Sequence, residues 1–234
     1  MHILLTDRLA CPRCGPAFGL ILLADRLENR RVIDGRLGCS NCREMYPVAG
    51  GAADLRTGPT QPDPPATWSA EGRGEAAVRV AALLGMTAGA GPVLIAGPAA
   101  ELAADVAALV PEVEVVALTA RRVERTRDAV SEGPIGEADA AHGDRPAASD
   151  RGGVSPMAAG AVLPFQDHVM RGVALSGGAD DARLAEALRV LVPGARLVVD
   201  PAPAGTAEAL RGMGAGVLLE QDGVVVATAP GAPR

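Results

Sequence analysis

The sequence predicts an α/β protein in two parts. Residues 1–56 form a small metal-stapled unit. Residues 76–230 form a doubly wound, mostly parallel sheet that closes on a C-terminal antiparallel hairpin. Three observations carry this. Two C-x-x-C pairs, "CPRC" and "CSNC", lie close together in the first part. From residue 76 apolar strand-like runs alternate with helix-like stretches. The last such run, "GVLLEQDGVVVATAP", reads as two strands around a Gln-Asp-Gly turn.

The bulk numbers set limits. At 234 residues and 48% hydrophobic, the chain can build a sizeable core. Only 2% is aromatic, so that core is mostly Ala, Val and Leu. A net charge of −6 and a pI near 5.1 argue against direct nucleic-acid binding. All 22 basic residues are arginine. The start, "MHILLTDRLA", has a short apolar run broken by Asp7 and Arg8, unlike a signal peptide. No apolar run is long enough to span a membrane. The expectation is a cytoplasmic protein with reduced thiols.

Cys11, Cys14, Cys39 and Cys42 are the sharpest signal. Each C-x-x-C turns tightly enough to aim both sulfurs at one point, and two such knuckles make a tetrahedral thiolate site. "LILLADRLENRRVIDGRLG" between them reads as two strands around a polar turn near Glu28–Arg31. A unit this small lacks an adequate core, so the metal supplies much of its folding energy. Zinc is the first choice, and four sulfurs close its shell. Iron in a rubredoxin-like site is the alternative, since "CPRCG" suits it, although "CSNCR" lacks the matching glycine. A pair of disulfides fits a reducing compartment poorly.

"LLTDRLACPRCG" and "GRLGCSNCREMYPVAGGAADLR" together resemble the small zinc-ribbon family that activates tRNA, rRNA and release-factor methyltransferases. The likeness runs over about residues 2–56. It rests on Leu9, Leu37 and Tyr46-Pro47-Val48 around the knuckles. Gly50-Gly51-Ala52-Ala53 departs from the family's Asp-Gly turn and Ile-Pro pair. The resemblance implies that strands of the ribbon dock on a methyltransferase sheet by main-chain pairing; "EMYPVAGGAADL" is the expected contact, and the expectation is that the ribbon packs on its own chain, the alternative being a linker that holds the two parts apart.

Residues 57–75 carry Pro59, Pro62, Pro64 and Pro65 and read as a semi-rigid linker, with Trp68 as a packing anchor. "AAVRVAALLG" then reads as a helix and "GPVLIAG" as an apolar strand. "PAAELAADVAALV" is a helix with Pro98 in its first turn and Leu102, Val106 and Leu109 on one face. "VEVVALT" is a strand, and "ARRVERTRDAV" a polar helix. Residues 131–156 are polar and proline-rich, and read as a flexible insert. "ALRVLVPGARLVVD" joins a helix, a Pro-Gly stop and a strand.

This second part resembles the class I S-adenosylmethionine-dependent methyltransferase fold, a methyltransferase-like Rossmann fold. The likeness rests on "LPFQDHVMRGVAL" as the lead into strand four and "EALRVLVPGARLVV" as helix, turn and strand five. It implies a cofactor loop of the form acid-x-Gly-x-Gly-x-Gly after the first strand. Laid on this chain, the acid falls on Ile95 and the glycines on Gly97, Ala99 and Glu101. The acid that ends strand two falls on Thr119, and the acid after strand three on Ala159. Glycine serves where a backbone takes positive φ or touches a ligand. Pro98 also removes an amide from the loop. The cofactor site thus reads as degenerate, and S-adenosylmethionine is not expected to bind.

Catalytic groups are thin. The three histidines are His2 at the terminus, His142 in the insert, and His168, a surface residue after Asp167 and a weak base candidate. "DPAP" at 200–203 echoes an Asp-Pro-Pro pair but follows strand five, and reads as a strand-end turn. No nucleophile is paired with a base. Three readings follow: a non-catalytic zinc-binding scaffold or regulatory subunit acting on a protein partner or larger complex; an active methyltransferase with its activator ribbon fused in cis; and an iron electron carrier.

Overall fold

In the computed structural model, residues 1–60, 63–64, 69–87, 91–120 and 153–231 are described. The ribbon begins with a 3-10 turn, Ile3–Arg8, and the short strand β1, Ala10–Cys11. A long hairpin follows: β2, Gly15–Glu28, and β3, Arg31–Cys39. Asn29 and Arg30 turn it with φ of 46° and 59°, the primed geometry that matches strand twist. β4, Met45–Ala49, and β5, Ala52–Asp54, complete the unit. Gly50 and Gly51 make the tight turn between them at φ of 58° and 82°.

The second part is α/β. Helix α1, Ala70–Leu84, is capped by Ser69, whose hydroxyl accepts the Gly72 amide, and stopped by left-handed Gly85. It therefore starts inside the 57–75 stretch read as linker. Ala77, Val80 and Leu84 bury its inner face. β6, Val93–Ala96, leads through a 3-10 turn headed by Pro98 into α2, Ala103–Leu109. Leu102 and Val106 are buried as expected, but Leu109 is exposed because α2 ends there. β7, Glu114–Thr119, and β8, Gly153–Ala158, flank the undescribed span 121–152. The polar helix expected over "ARRVERTRDAV", His142 and most of the 131–156 insert fall in that span, and Trp68 also lies outside the described residues. Residues 153–156 are not insert; they open β8, paired with β7.

β9, Met170–Leu175, α3, Asp181–Val190, and β10, Leu191–Val199, come next. The expected Pro-Gly stop is instead a bulge within β10. Leu191 pairs with Met170 and Arg196 with Gly172, and Gly194 takes φ of 77° to absorb the extra residues. α4, Thr206–Gly212, precedes the final hairpin of β11, Gly216–Gln221, and β12, Val224–Thr228. Asp222 and Gly223 turn it, both at positive φ.

As expected of a ribbon packing on its own chain, its strands join those of the second part in one twelve-stranded sheet, ordered β1-β2-β3-β4-β5-β8-β7-β6-β9-β10-β12-β11. Strands β5 to β10 pair in parallel across its centre, and both ends are antiparallel. The order reverses between β6 and its neighbours, a topological switch point of a doubly wound sheet. α1 and α2 cover one face. α3 and α4 cover the other, where the ribbon's Leu9, Leu37, Tyr46 and Leu55 share a continuous core with Leu118, Met157, Leu163 and Phe165.

Two seams bind the ribbon to the sheet. β5 pairs with β8, Ala53 opposite Met157, and the Leu55 amide extends the ladder to the Ala158 carbonyl at 2.7 Å. Along the other seam Ala10 donates to the Pro164 carbonyl at 3.0 Å, and Leu9 bridges Phe165. At the hairpin tip the Arg31 guanidinium forks onto both Glu114 carboxylate oxygens at 3.2 and 3.0 Å and donates to the Val154 carbonyl at 3.0 Å. Gly153 takes φ of 139°, which L side chains rarely adopt, and this leaves room for the Arg31 guanidinium beside it.

Candidate metal centre and interdomain cleft

The four cysteines converge. Cys11 ends β1 and Cys39 ends β3, so strand pairing places both, and both are buried. Cys14 and Cys42 sit on the turns that follow. Gly15 at φ of 92° releases the first turn, and Arg43 donates back to the Cys39 carbonyl at 2.9 Å to close the second. All four Sγ atoms lie within 4.8 Å of one another. Cys11 and Cys42 Sγ are 3.7 Å apart, and Cys39 and Cys14 Sγ 3.8 Å. A tetrahedron with metal–sulfur bonds near 2.3 Å has edges of about 3.8 Å. The donor set therefore fits a single ion such as zinc.

The surroundings prepare the sulfurs unequally. Burial works against the Cys11 thiolate, but the Tyr46 hydroxyl, the Cys14 and Arg13 amides and the Cys39 thiol overcome it and bring Cys11 down to about 7. The Glu44 amide favours the Cys42 thiolate, yet burial and the three neighbouring thiols outweigh it and push Cys42 up to about 12. Tyr46 Oη lies 3.5 Å from Cys11 Sγ, and Asn41 Nδ2 donates to Cys14 Sγ at 3.3 Å.

The second candidate is a cleft of about 670 Å³ at the carboxyl ends of β6, β7, β8 and β9. The residues matched to the cofactor site by resemblance do sit around it. Gly97 directly follows β6, Thr119 ends β7 and Ala159 follows β8. Ile95 is inside β6 and fully buried on the α1–α2 face, pointing into the core. Ala99 is buried, and Glu101 is exposed with its carbonyl accepting from Arg73.

The loop amides are already engaged by this chain. Gly97, at φ of 82° and ψ of −154°, donates to the Leu118 carbonyl at 3.0 Å. A Cβ on Gly97 would lie 2.1 Å from the Ser176 carbonyl, so this glycine admits a neighbouring strand rather than a ligand. Ser176 Oγ accepts the Ala99 amide at 2.7 Å and donates to the Ala96 carbonyl at 3.1 Å. Asp63 takes the Ala120 amide at 2.6 Å, and Glu186 takes the Leu163 amide at 2.9 Å. The Pro98 ring packs against Gly177, where a Cβ would meet it at 2.7 Å. Ser176, Asp63 and Thr60 were not singled out in the sequence. Asp63 between two prolines is the one signal that marked a held side chain; Ser176 carried none.

The histidines are structural among the described residues. His2 is buried, its Nδ1 accepts the Leu4 amide at 3.2 Å, and its own amide donates to Ser155 Oγ at 2.9 Å. His168 is tied to the Leu191 carbonyl at 2.8 Å, and Asp167 is paired with Arg189 at 2.8 Å. Asp200 of "DPAP" is paired with Arg79 of α1.

No family model and no curated protein matches the chain. Among solved structures it is similar to the [4+2]-cyclase SpnF, with a TM-score of 0.44 and 18% identity over 69% of this chain and 66% of that one. The chain thus spans just under two thirds of the cyclase. It is similar to the antibiotic-resistance methyltransferase Kmr, with a TM-score of 0.43 and 14% identity over 74% of this chain and 100% of that one. A third similarity is to a chain of a complex containing the Haloferax volcanii Trm112 methyltransferase activator, at a TM-score of 0.43 and 15% identity over 70% and 96% of the two chains. Likeness at this level says nothing of activity or ligand. No described helix is long and apolar enough to cross a membrane.

Proposed function

We propose that this chain is a zinc-binding, non-catalytic scaffold or regulatory subunit. In this reading an activator-like ribbon is fused to a methyltransferase-like domain whose cofactor site is degenerate. Cys11, Cys14, Cys39 and Cys42 hold the zinc, which knits the β1–β2 and β3–β4 turns and leaves no open coordination position. One observation carries the loss of cofactor binding. The Gly97, Ala99 and Ala120 amides are hydrogen-bonded within the chain, so binding a nucleotide there must break existing bonds before making new ones. No acid stands at Thr119 or Ala159 to hold ribose or adenine.

The docking that the ribbon's resemblance implies between two proteins has a counterpart here within one chain. β5 lies on β8 by main-chain pairing, which leaves the remaining surfaces of the α/β part to meet an outside protein. The 670 Å³ cleft favours a second reading, an active methyltransferase with its activator in cis. Calorimetric titration with S-adenosylhomocysteine separates the two. No heat at millimolar ligand is expected; a micromolar dissociation constant would overturn the first reading in favour of the second.

A further inference from the structure

One wall of the cleft is built by the segment ahead of α1. Thr60 Oγ1 donates to the Ala120 carbonyl at 2.6 Å, and Asp63 Oδ2 accepts the Ala120 amide at 2.6 Å. Both main-chain groups of the residue that follows β7 are thus held by side chains three positions apart. The Thr60 methyl sits 3.7 Å from the point where a Cβ on Gly160 would be, and the Pro64 ring 3.6 Å from that point on Gly177. Pro59 joins them along the rim. Across the cleft Arg183 donates to the Gly160 and Ala161 carbonyls at 3.2 and 3.0 Å. Burial opposes the Arg183 charge, and the Asp63 carboxylate is the foremost of the acids that support it.

The segment is held by its side chains: a hydroxyl and a carboxylate satisfy both main-chain groups of Ala120, and two glycines admit the Thr60 methyl and the Pro64 ring. In sequence Asp63 stands between Pro62 and Pro64. Flanking prolines narrow the free conformations of the segment, so holding it costs less entropy.

We propose that the rim of the cleft at Ala120, Gly160 and Gly177 is a peptide site, held in cis by Pro59, Thr60, Asp63 and Pro64. Its ligand class is a proline-containing segment with a hydroxyl and a carboxylate three residues apart. The proposal rests on the reading above that no nucleotide cofactor fills the cleft. Tethering presents the internal segment at an effective concentration on the order of millimolar. A partner carrying a similar segment displaces it only when bound more tightly or held close by other contacts.

Hydrogen exchange on the full chain tests this. In Thr60→Val/Asp63→Ala the Ala120 amide should exchange at least tenfold faster, while the amides of Val115–Leu118 keep their rates. A synthetic peptide of residues 57–66 at several millimolar should restore Ala120 protection in the variant; the same peptide with alanine in place of its aspartate should not. Unchanged Ala120 exchange in the variant, or no restoration by the peptide, overturns the proposal. If the double variant loosens β7 as well, Asp63→Ala alone decides: faster exchange confined to Ala120 supports the site, and none sinks it. Binding of S-adenosylhomocysteine by the unmodified chain would defeat the scaffold reading and leave the exchange result to stand or fall separately.

Discussion

Removing the metal should lower the stability of the whole protein, not of the ribbon alone. The perturbation is a strong chelator, or Cys39→Ser. In isolated zinc fingers the metal contributes ~10–16 kcal/mol, as much as an entire domain's stability. Here the ribbon keeps two seams to the sheet, so the loss is smaller. Leu37 and Tyr46 stand behind the thiolates on paired strands, at 0% and 2% exposure. Each buried side chain of this kind contributes about 1.5–3 kcal/mol, so loosening both costs about 3–6 kcal/mol. For a chain of this length 1 kcal/mol shifts the midpoint by about 2–4 °C, giving a fall of about 6–24 °C. Leu37 and Tyr46 belong to the same buried cluster as Met157, Leu163 and Phe165, so the fall should come as one transition. Differential scanning calorimetry of loaded and chelated protein measures it. Two transitions, the upper one unmoved by chelation, would refute the shared core and restore the picture of two independent units.

Tyr46→Phe removes the hydroxyl beside Cys11 Sγ while burial remains, so the Cys11 thiol should rise from about 7. Zinc affinity in a chelator competition should fall by about tenfold, as outer-shell losses do, and an unchanged affinity would sink this role for the phenol. Glu186 is opposed by burial, but its bonds with Arg189 and the Leu163 amide hold its carboxyl below the ordinary 4.5. Its stabilisation is complete above that value and is lost as pH falls through the lower, folded one. Glu186→Gln should therefore flatten the acid side of the stability–pH curve below about 4.5. Melting curves that stay parallel to those of the parent across that range would count against it.

What the sequence made legible was local chemistry. Cys-x-x-Cys spacing, Asp222-Gly223 and the polar turn at Asn29-Arg30 each satisfy a constraint within a few residues, and each turned out where expected. Of the positions matched to a cofactor site, Gly97, Thr119 and Ala159 lie at the ends of β6, β7 and β8, while Ile95 is inside β6 and Ala99 and Glu101 lie in the 3-10 turn. That the ribbon's last strand would pack on its own chain was legible from the resemblance, but the partners and register of the seams were not. The pairing of Ala53 with Met157, the Arg31 fork on Glu114 and the Leu9 bridge to Phe165 join residues far apart in the chain, with no periodicity to announce them. Pro193-Gly194 reads locally as a stop, yet pairing on both sides of β10 absorbs it as a bulge. Ser176 and Asp63 were missed for a related reason: their partners, Ala99 and Ala120, are fixed only once strands align.

The pairing of β5 with β8 also orders the events of synthesis. The four thiolates and β1–β5 are complete before β8 leaves the ribosome. Chains emerge from the N-terminus at about 5–20 residues per second, so the ribbon has several seconds in which to capture its ion. β8 then meets β5, which it pairs with through Ala53 opposite Met157 and the Leu55 amide. Parallel strands are slow to find one another because a long loop must close first. A finished edge waiting in the same chain turns that search into templated addition.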